Sequence, residues 1–436
     1  MNTLARLRAD ALACWSAALA AVDAAGLVGR HLARRNDALV LRTGAGTTVA
    51  EHRGPVVVVG GGKAAVAMAR AAAGIVGDAC TGGIVVAPHG AAGEGAVEVA
   101  TGRHPLPDAA GVAATARLLA TAAGADERTL VLALVSGGAS ALLVAPSGVT
   151  LDDKTEVTRR LLAVGADIAA LNAVRKHCSL VKGGGLARAA ARAAGLWTLV
   201  LSDVVGDDPA TIGSGPTVAD PTTFRDAESV VDRWLGDAAP GQVRQHLARG
   251  AAGAVAETVK PGDPVLARAR TVVIGGNRDA TEAAAGAAVG RGYAVETLAP
   301  LTGDAAAAGR AIAARLRAAP ADRAVAIVAG GETTVRVEPG GRGGRAQHLA
   351  LAAAVALAGV PAVVLAAGTD GVDGPTDAAG ACVDGDTIAR GRALDAERAL
   401  RETDSHRFLA ATGDLLVTGP TGTNVADVVV ALRAAC

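Results

Sequence analysis

Apolar positions gather in short unbroken runs along the chain, and Ala-rich stretches of helical character separate one run from the next. The clearest runs are PVVVVG at 55–60, GGIVVAP at 82–88, TLVLALVS at 129–136 and LWTLVLSDV at 196–204. The second half repeats the theme with RTVVIGGN at 270–277, YAVETLAP at 293–300, AVAIVAGGE at 324–332, PAVVLAAGTDG at 361–371 and DLLVTG at 414–419. Val, Leu and Ile in continuous runs, with no polar face, predict parallel strands buried on both sides. Their alternation with helices predicts an α/β protein built on two doubly wound sheets. Pro and Gly residues at 236–264 mark the expected linker. The expected division is therefore 1–245 and 262–436, with the last elements free to pack back on the first domain. Residues 4–25 carry Arg6 and Arg8 before an apolar stretch, as a signal peptide would. Asp10 interrupts that stretch and the pattern runs on into GLVGRHLARR, so an amphipathic first helix is expected.

Composition narrows the class. The 436 residues suit two domains and a large core. Lys and Arg number 42 and so do Asp and Glu, a balance that argues against a nucleic-acid binder. Aromatics are only 1%, too few to build stacking platforms for bases. Charge or glycine breaks each long apolar stretch before roughly 18 residues, so no membrane span is expected. Cys14, Cys80, Cys178, Cys382 and Cys436 form no CxxC pair, which points to free thiols in a reducing cytoplasm and not to a zinc site.

The candidate chemistry lies where strands end. Several runs lead straight into glycine-rich or acidic turns, and open α/β sheets bind ligands beyond the carboxyl ends of their strands. In VVVVGGGKAA, Gly60, Gly62 and Ala65 satisfy G-x-G-x-x-A, the dinucleotide fingerprint in its weakest form. The ribose-binding acid expected about 20 residues on is missing, because the next strand ends at Pro88 and His89. A Walker loop is excluded, since Ala64 follows Lys63 where Ser or Thr is needed. What remains is a lysine at a helix N-terminus, which favours an anion such as phosphate beside Gly61 and Gly62. In SGGAS, Ser136, Gly137, Gly138 and Ser140 offer hydroxyls and backbone N–H groups as an anion nest. GGN and GGE bring Asn277 and Glu332 to further strand ends. SDVVGDD places Asp203 and Asp207 on one loop, and GTDGVDGPTD places Asp370, Asp373 and Asp377 on another. Such carboxylates hold Mg²⁺ or accept a hydroxyl proton. Arg342 and Arg345 stand among glycines before an Ala/Leu helix, where a guanidinium can clamp an anion with two bonds. Arg175, Lys176, His177 and Lys182 follow on another helical stretch, and Arg175 or Lys176 could receive a substrate carboxylate. The absence of HExxH and GxSxG weakens zinc-enzyme and hydrolase readings.

Taken together these loops resemble the glycerate 2-kinases of the MOFRL-domain type, at one time labelled hydroxypyruvate reductases. The matching segments are VVVVGGGKAA, GRHPLPD at 102–108, LVSGGASALL, LNAVRKHCSLVKGG, SDVVGDDPATIGSGPT, GGETTV at 330–335, GRGGRAQHLAL, GTDGVDGPTDAAGA and NVADVVVAL at 424–432. They follow one another in order over nearly the whole chain. The resemblance implies ATP-dependent phosphorylation of D-glycerate to 2-phosphoglycerate with Mg²⁺. It also implies a Rossmann-like N-terminal domain and an α/β C-terminal domain around a cleft. By the same resemblance Lys63 and Arg345 would stabilise transition-state charge and Asp370 would be the base, with Asp203 able to exchange roles with it. Asp203 and Asp207 are the metal candidates. The chain departs from the family pattern at Gly185, where an arginine is usual, and at Ala346 and His348. The alternative reading is an NAD(P)-dependent hydroxypyruvate reductase. Neither membrane nor nucleic acid is an expected partner, and a homodimer is left open.

Overall fold

The computed structural model describes residues 2–93 and 95–435. The chain forms two compact units, residues 24–274 and residues 1–23 with 275–436. This partition differs from the expected one. The stretch expected as a linker contains the helix Gly241–Ala251, which buries Val243 and Leu247 and belongs wholly to the first of these units. The helix Thr3–Ala21 belongs to the unit formed by the C-terminal half.

The 24–274 unit is centred on β1 (Val56–Gly61), β2 (Cys80–Pro88), β3 (Glu98–Gly102), β4 (Leu130–Ser136), β5 (Gly195–Leu201) and β6 (Ala269–Gly275). They lie in the order β3-β2-β1-β4-β5-β6, the strand order of a doubly wound dinucleotide-type sheet. β1 pairs in parallel with β2 and β4, β2 with β3, and β4 with β5. The run at 270–277, expected in the second sheet, is thus the sixth strand of the first. Alternate residues Val57 and Val59 of β1, and Val131, Ala133 and Val135 of β4, meet Ala114, Leu118 and Ala122 of the helix Ala109–Ala123. The remaining face takes the helix Ala65–Val76 through Met68, Ala69 and Ala72. Unbroken apolar runs are what a sheet covered on both faces requires. A separate cluster joins Val157, Leu161, Leu171, Val174, Phe224, Val231, Val243 and Leu247, so four helices between 151 and 251 share a small core of their own. A three-stranded antiparallel sheet covers 32–52.

The other unit contains β7 (Ala294–Thr297), β8 (Val325–Gly331), β9 (Ala362–Gly368), β10 (Gly380–Asp384), β11 (Leu415–Leu416) and β12 (Asp427–Arg433), in the order β7-β8-β12-β9-β10-β11. Only β7 and β8 pair in parallel; β12 runs antiparallel to both β8 and β9 at the sheet centre. The expectation of a second parallel sheet is therefore corrected. The last strand closes the middle of its own sheet. Ile327, Ala329, Val364, Ala366, Val429 and Ala431 face the helices Ala305–Ala318 and Arg345–Ala356. The helices Thr3–Ala21 and Asn277–Val289 pack on the sheet's other face. Thr3–Ala21 buries Leu7, Ala11, Cys14, Trp15 and Ala18, a stripe at helical spacing. Its polar side is also engaged: Asp10 accepts a bond of 2.7 Å from Tyr293 Oη, and Arg8 pairs with Asp414 at 2.9 Å. No single helix among the described residues is long and apolar enough to cross a membrane.

Candidate active site

Strand order reverses between β1 and β4, so their carboxyl ends border the crevice in which doubly wound sheets hold ligands. GGK leaves β1 and SGGAS leaves β4, and the two turns are bonded to each other. Lys63 N donates to Gly137 O at 2.8 Å, and Ala64 N donates to Ser136 Oγ at 3.1 Å. Gly62 N donates to Val86 O at 3.0 Å. The amides of the first turn are thus spent inside the protein, and the expected phosphate cradle at Gly61 and Gly62 is not available as N–H donors. Those glycines allow close approach instead. A Cβ at Gly61 would lie 2.7 Å from Leu143 Cδ2, and one at Gly62 would lie 2.1 Å from Ser136 Oγ. Ser136, fully buried, is likewise occupied in holding the turn.

The second turn is open. The amides of Gly137, Gly138 and Ala139 donate to no protein acceptor among the described hydrogen bonds. Gly138 is left-handed at φ 82, the backbone alternation from which anion nests form. A Cβ there would stand 3.3 Å from Lys63 Cγ and 3.1 Å from His104 Cδ2, so the lysine stem and the imidazole flank the nest. Ser140 Oγ and Ser214 Oγ lie 2.7 Å apart, and Ser214 Oγ donates to Asn172 Oδ1 at 3.0 Å. Lys182 is buried and donates to Ser140 O at 2.8 Å and to Gly213 O at 3.4 Å. Burial, with Lys154 and Arg175 nearby, pushes its proton affinity well below that of a free lysine. Lys176 is taken by Asp220 at 3.2 Å, deep in the unit, which leaves Arg175 as the better placed of the two substrate candidates.

Asp203 and Asp207 share the loop after β5. Asp208 is committed to Ala210 N and Thr211 Oγ1. No group of three or more His, Cys, Asp or Glu side chains gathers as a ready-made metal site among the described residues.

In the other unit Arg345 opens its helix and is held by two parallel bonds to Asp427, Nε to Oδ2 at 2.6 Å and Nη2 to Oδ1 at 3.0 Å, with Nη1 on Glu332. Burial opposes its charge, but Asp427 and then Glu332 outweigh burial and hold its proton affinity above that of a free arginine. Burial raises Asp427, which Arg345 offsets only in part. Asn277 fixes the start of the same strand, donating to Val425 O at 2.8 Å and Asp427 O at 2.9 Å. Its role is thus structural as well as local to the site. Asp370 lies within reach: a Cβ on Gly368 would be 3.2 Å from Asp370 Oδ1 and 3.4 Å from Asp427 Oδ1. Asp373 ties the acidic loop to the arginine helix, accepting from Ala346 N at 3.1 Å, Gln347 N at 2.8 Å and Gln347 Nε2 at 3.0 Å. Burial nevertheless pushes its carboxyl up to about 6. Arg345, Glu332, Asn277 and Asp370 thus all lie about the start of β12.

Comparison with known proteins supplies the family. The model of a domain of unknown function, DUF4147, matches residues 10–248, and that of the MOFRL family matches residues 325–427. The glycerate 2-kinase of Pyrococcus horikoshii is 40% identical over 88% of each chain. The crystal structure of glycerate kinase from Thermotoga maritima superposes with a TM-score of 0.83 at 35% identity, over 98% of this chain and 100% of that one. The chain belongs to the glycerate kinase family. A relative from Agrobacterium vitis, 44% identical over 86% of each chain, is provisionally named a hydroxypyruvate reductase.

Within this glycerate kinase scaffold, sequence reasoning had passed over four side chains. Asp427 gave little signal, being one acid ahead of an apolar strand. His104 and Ser214 stood inside the quoted GRHPLPD and GSGPT segments without an assigned role. Lys182 was expected on the same helical stretch as Arg175, yet it lies beyond the end of that helix and is buried.

Proposed function

We propose that the chain is an ATP-dependent kinase that phosphorylates the 2-hydroxyl of D-glycerate, giving 2-phosphoglycerate and ADP. The carrying observation is the open nest at Gly137–Ala139 with the Lys63 stem against Gly138, at the reversal of a doubly wound sheet. Lysine beside uncommitted peptide N–H groups suits a phosphoryl group, whose transfer depends on positioning and charge neutralisation. The names of the relatives support glycerate as the acceptor.

In the proposed reaction the C2 oxygen bonds to the γ-phosphorus as the bond to the β,γ-bridging oxygen breaks, and Asp370 takes the hydroxyl proton. Lys63 and Arg345 counter the charge on the transferring group. Asp427 acts on Arg345 by fixing its plane. Asp203 and Asp207 would hold Mg²⁺. Two carboxylates on one loop fit an ion that keeps waters and substrate phosphates in its shell. Bound there, the ion would supply positive charge to offset that of the nucleotide phosphates. The working compartment we assign is the cytoplasm, which suits the free cysteines Cys14, Cys80, Cys178 and Cys382.

A specific observation disfavours the reductase reading. A dinucleotide pyrophosphate needs the amides of the first glycine turn, and those at 62–64 are bonded to Val86, Gly137 and Ser136. The test is to supply D-glycerate, ATP and Mg²⁺ in one vessel and hydroxypyruvate with NADH in another. ADP formation in the first alone is expected; NADH oxidation without ADP formation would overturn the assignment.

A further inference from the structure

In the unit formed by the C-terminal half, the residue just before β12 is held in a conformation that is costly for its side chain. Ala426 stands at φ 66, in the left-handed region, where Cβ crowds the following carbonyl oxygen. Asn36, Asp207, Ser214 and Thr403 share a positive φ, and each of them carries a polar side chain. Ala426 has no such group with which to offset the crowding, and it is buried. A strained backbone persists only where its surroundings fix it from several sides, and such residues gather at functional sites.

One side chain does most of the fixing. Thr369 Oγ1 donates to Ala426 O at 2.7 Å and accepts from Val425 N at 2.8 Å, so the hydroxyl is used in both senses. Thr369 N adds a second bond to Ala426 O at 3.0 Å. Thr369 is wholly buried, and its own carbonyl accepts from Thr421 Oγ1. The main chain on both sides of Ala426 is thus pinned to Thr369. The residues that follow these two carry the chemistry. Asp427, after Ala426, grips Arg345 by two bonds, and Asp370 comes after Thr369. Rotation at Ala426 would swing the Asp427 carboxylate and, with it, the plane of the guanidinium.

We propose that Thr369 is a positioning residue for phosphoryl transfer. Its hydroxyl holds the strained turn at Ala426, the turn aims Asp427, and Asp427 aims Arg345. Asp370, next along the chain, is set by the same anchor. Alanine in place of glycine at 426 fits this role. A Cβ confines the left-handed residue to a small well, whereas glycine would leave Asp427 freer to swing. The inference rests on the kinase reading of Arg345 and Asp370 and adds to it the residue that keeps them in register.

The test uses the intact protein with D-glycerate, ATP and Mg²⁺. Thr369→Val keeps the shape and removes the hydroxyl, Thr369→Ser keeps the hydroxyl, and Ala426→Gly releases the strain. Thr369→Val should lower kcat roughly 10–100-fold with both KM values within about twofold, and Thr369→Ser should recover most of the loss. Ala426→Gly should also lower kcat while its urea midpoint stays level or rises, since the crowding is gone. In an Asp427→Asn background Thr369→Val should cost little more, because both changes reach Arg345 through one carboxylate. The Arg345 Nε–H resonance, identified by its absence in Arg345→Lys, should move in Thr369→Val and return in Thr369→Ser. Wild-type turnover in Thr369→Val, full additivity with Asp427→Asn, or a loss in Ala426→Gly that only follows a lowered urea midpoint would overturn the proposal. If the wild type forms no ADP, the kinase reading falls and the resonance decides: an unmoved signal in Thr369→Val would show that Thr369 does not aim Arg345. If Thr369→Val fails to fold, Ala426→Gly decides, and unchanged turnover there would overturn the proposal.

Discussion

A few side chains carry the proposed chemistry, and they differ in how visible they were. Lys63 declared itself by standing before a helix, where a cation is unfavourable without an anion. Lys63→Ala should lower kcat by roughly 10²–10³, the loss expected for one charge-stabilising donor, with thermal unfolding hardly moved. Steady-state kinetics beside calorimetry check both halves. Asp427 was not legible, because one acid before an apolar strand has no pattern around it. Its carboxylate is 11% exposed and holds Arg345 by two bonds, so its removal strands a largely buried guanidinium. Asp427→Ala should cost about 3 kcal/mol in denaturant unfolding and lower kcat more than KM. Unchanged unfolding would show that Arg345 needs no such partner. For Ser136 the residue type was read correctly as a hydroxyl at a strand end, but neighbouring amides consume it, a competition that spacing cannot reveal.

Among elements, the turns after β1 and β4 look alike in sequence and do opposite work. One spends its amides on its neighbour, and the other keeps them open. Gly62, at φ 136 with Ser136 Oγ where a Cβ would go, is there for close packing. Gly62→Ala should destabilise by roughly 2–3 kcal/mol through overpacking and backbone strain, measurable in urea. The loop at 368–377 meets the Arg345 helix through Asp373. Its folded pKa of about 6 lies above the ordinary aspartate value of 3.8. The folded state therefore binds the proton more tightly, and this group's contribution is full below about pH 4 and lost as pH rises through about 6. Relative to Asp373→Asn, the wild type should lose on the order of 2–3 kcal/mol between those limits. Denaturation of both proteins at pH 4 and 7 checks this; a constant difference would mean that Asp373 stays ionised across the range.

For the whole molecule, the α/β class and four of the six strands of the first sheet were readable because each of the four is an apolar run between turn signals, whereas β3, EVATG, is not such a run. Direction and membership were not. β12 is as apolar as a parallel strand yet runs antiparallel between β8 and β9, since burial on both faces sets composition and not orientation. The helix Thr3–Ala21 joins the unit formed by the C-terminal half, a long-range choice with no local mark. Asp370→Asn should lower kcat for transfer roughly 10²–10⁴-fold with thermal unfolding hardly moved, and unchanged turnover would remove Asp370 from the proposed role of base. Mg²⁺ belongs to the same account: exhaustive EDTA treatment should remove kinase activity and added Mg²⁺ restore it, whereas full activity without a divalent ion would contradict the role given to Asp203 and Asp207. The most direct test is the product itself. Phosphorus NMR of a reaction containing the protein, D-glycerate, ATP and Mg²⁺ should show 2-phosphoglycerate growing in step with ADP; 3-phosphoglycerate, or ATP left intact while hydroxypyruvate is reduced by NADH, would contradict it.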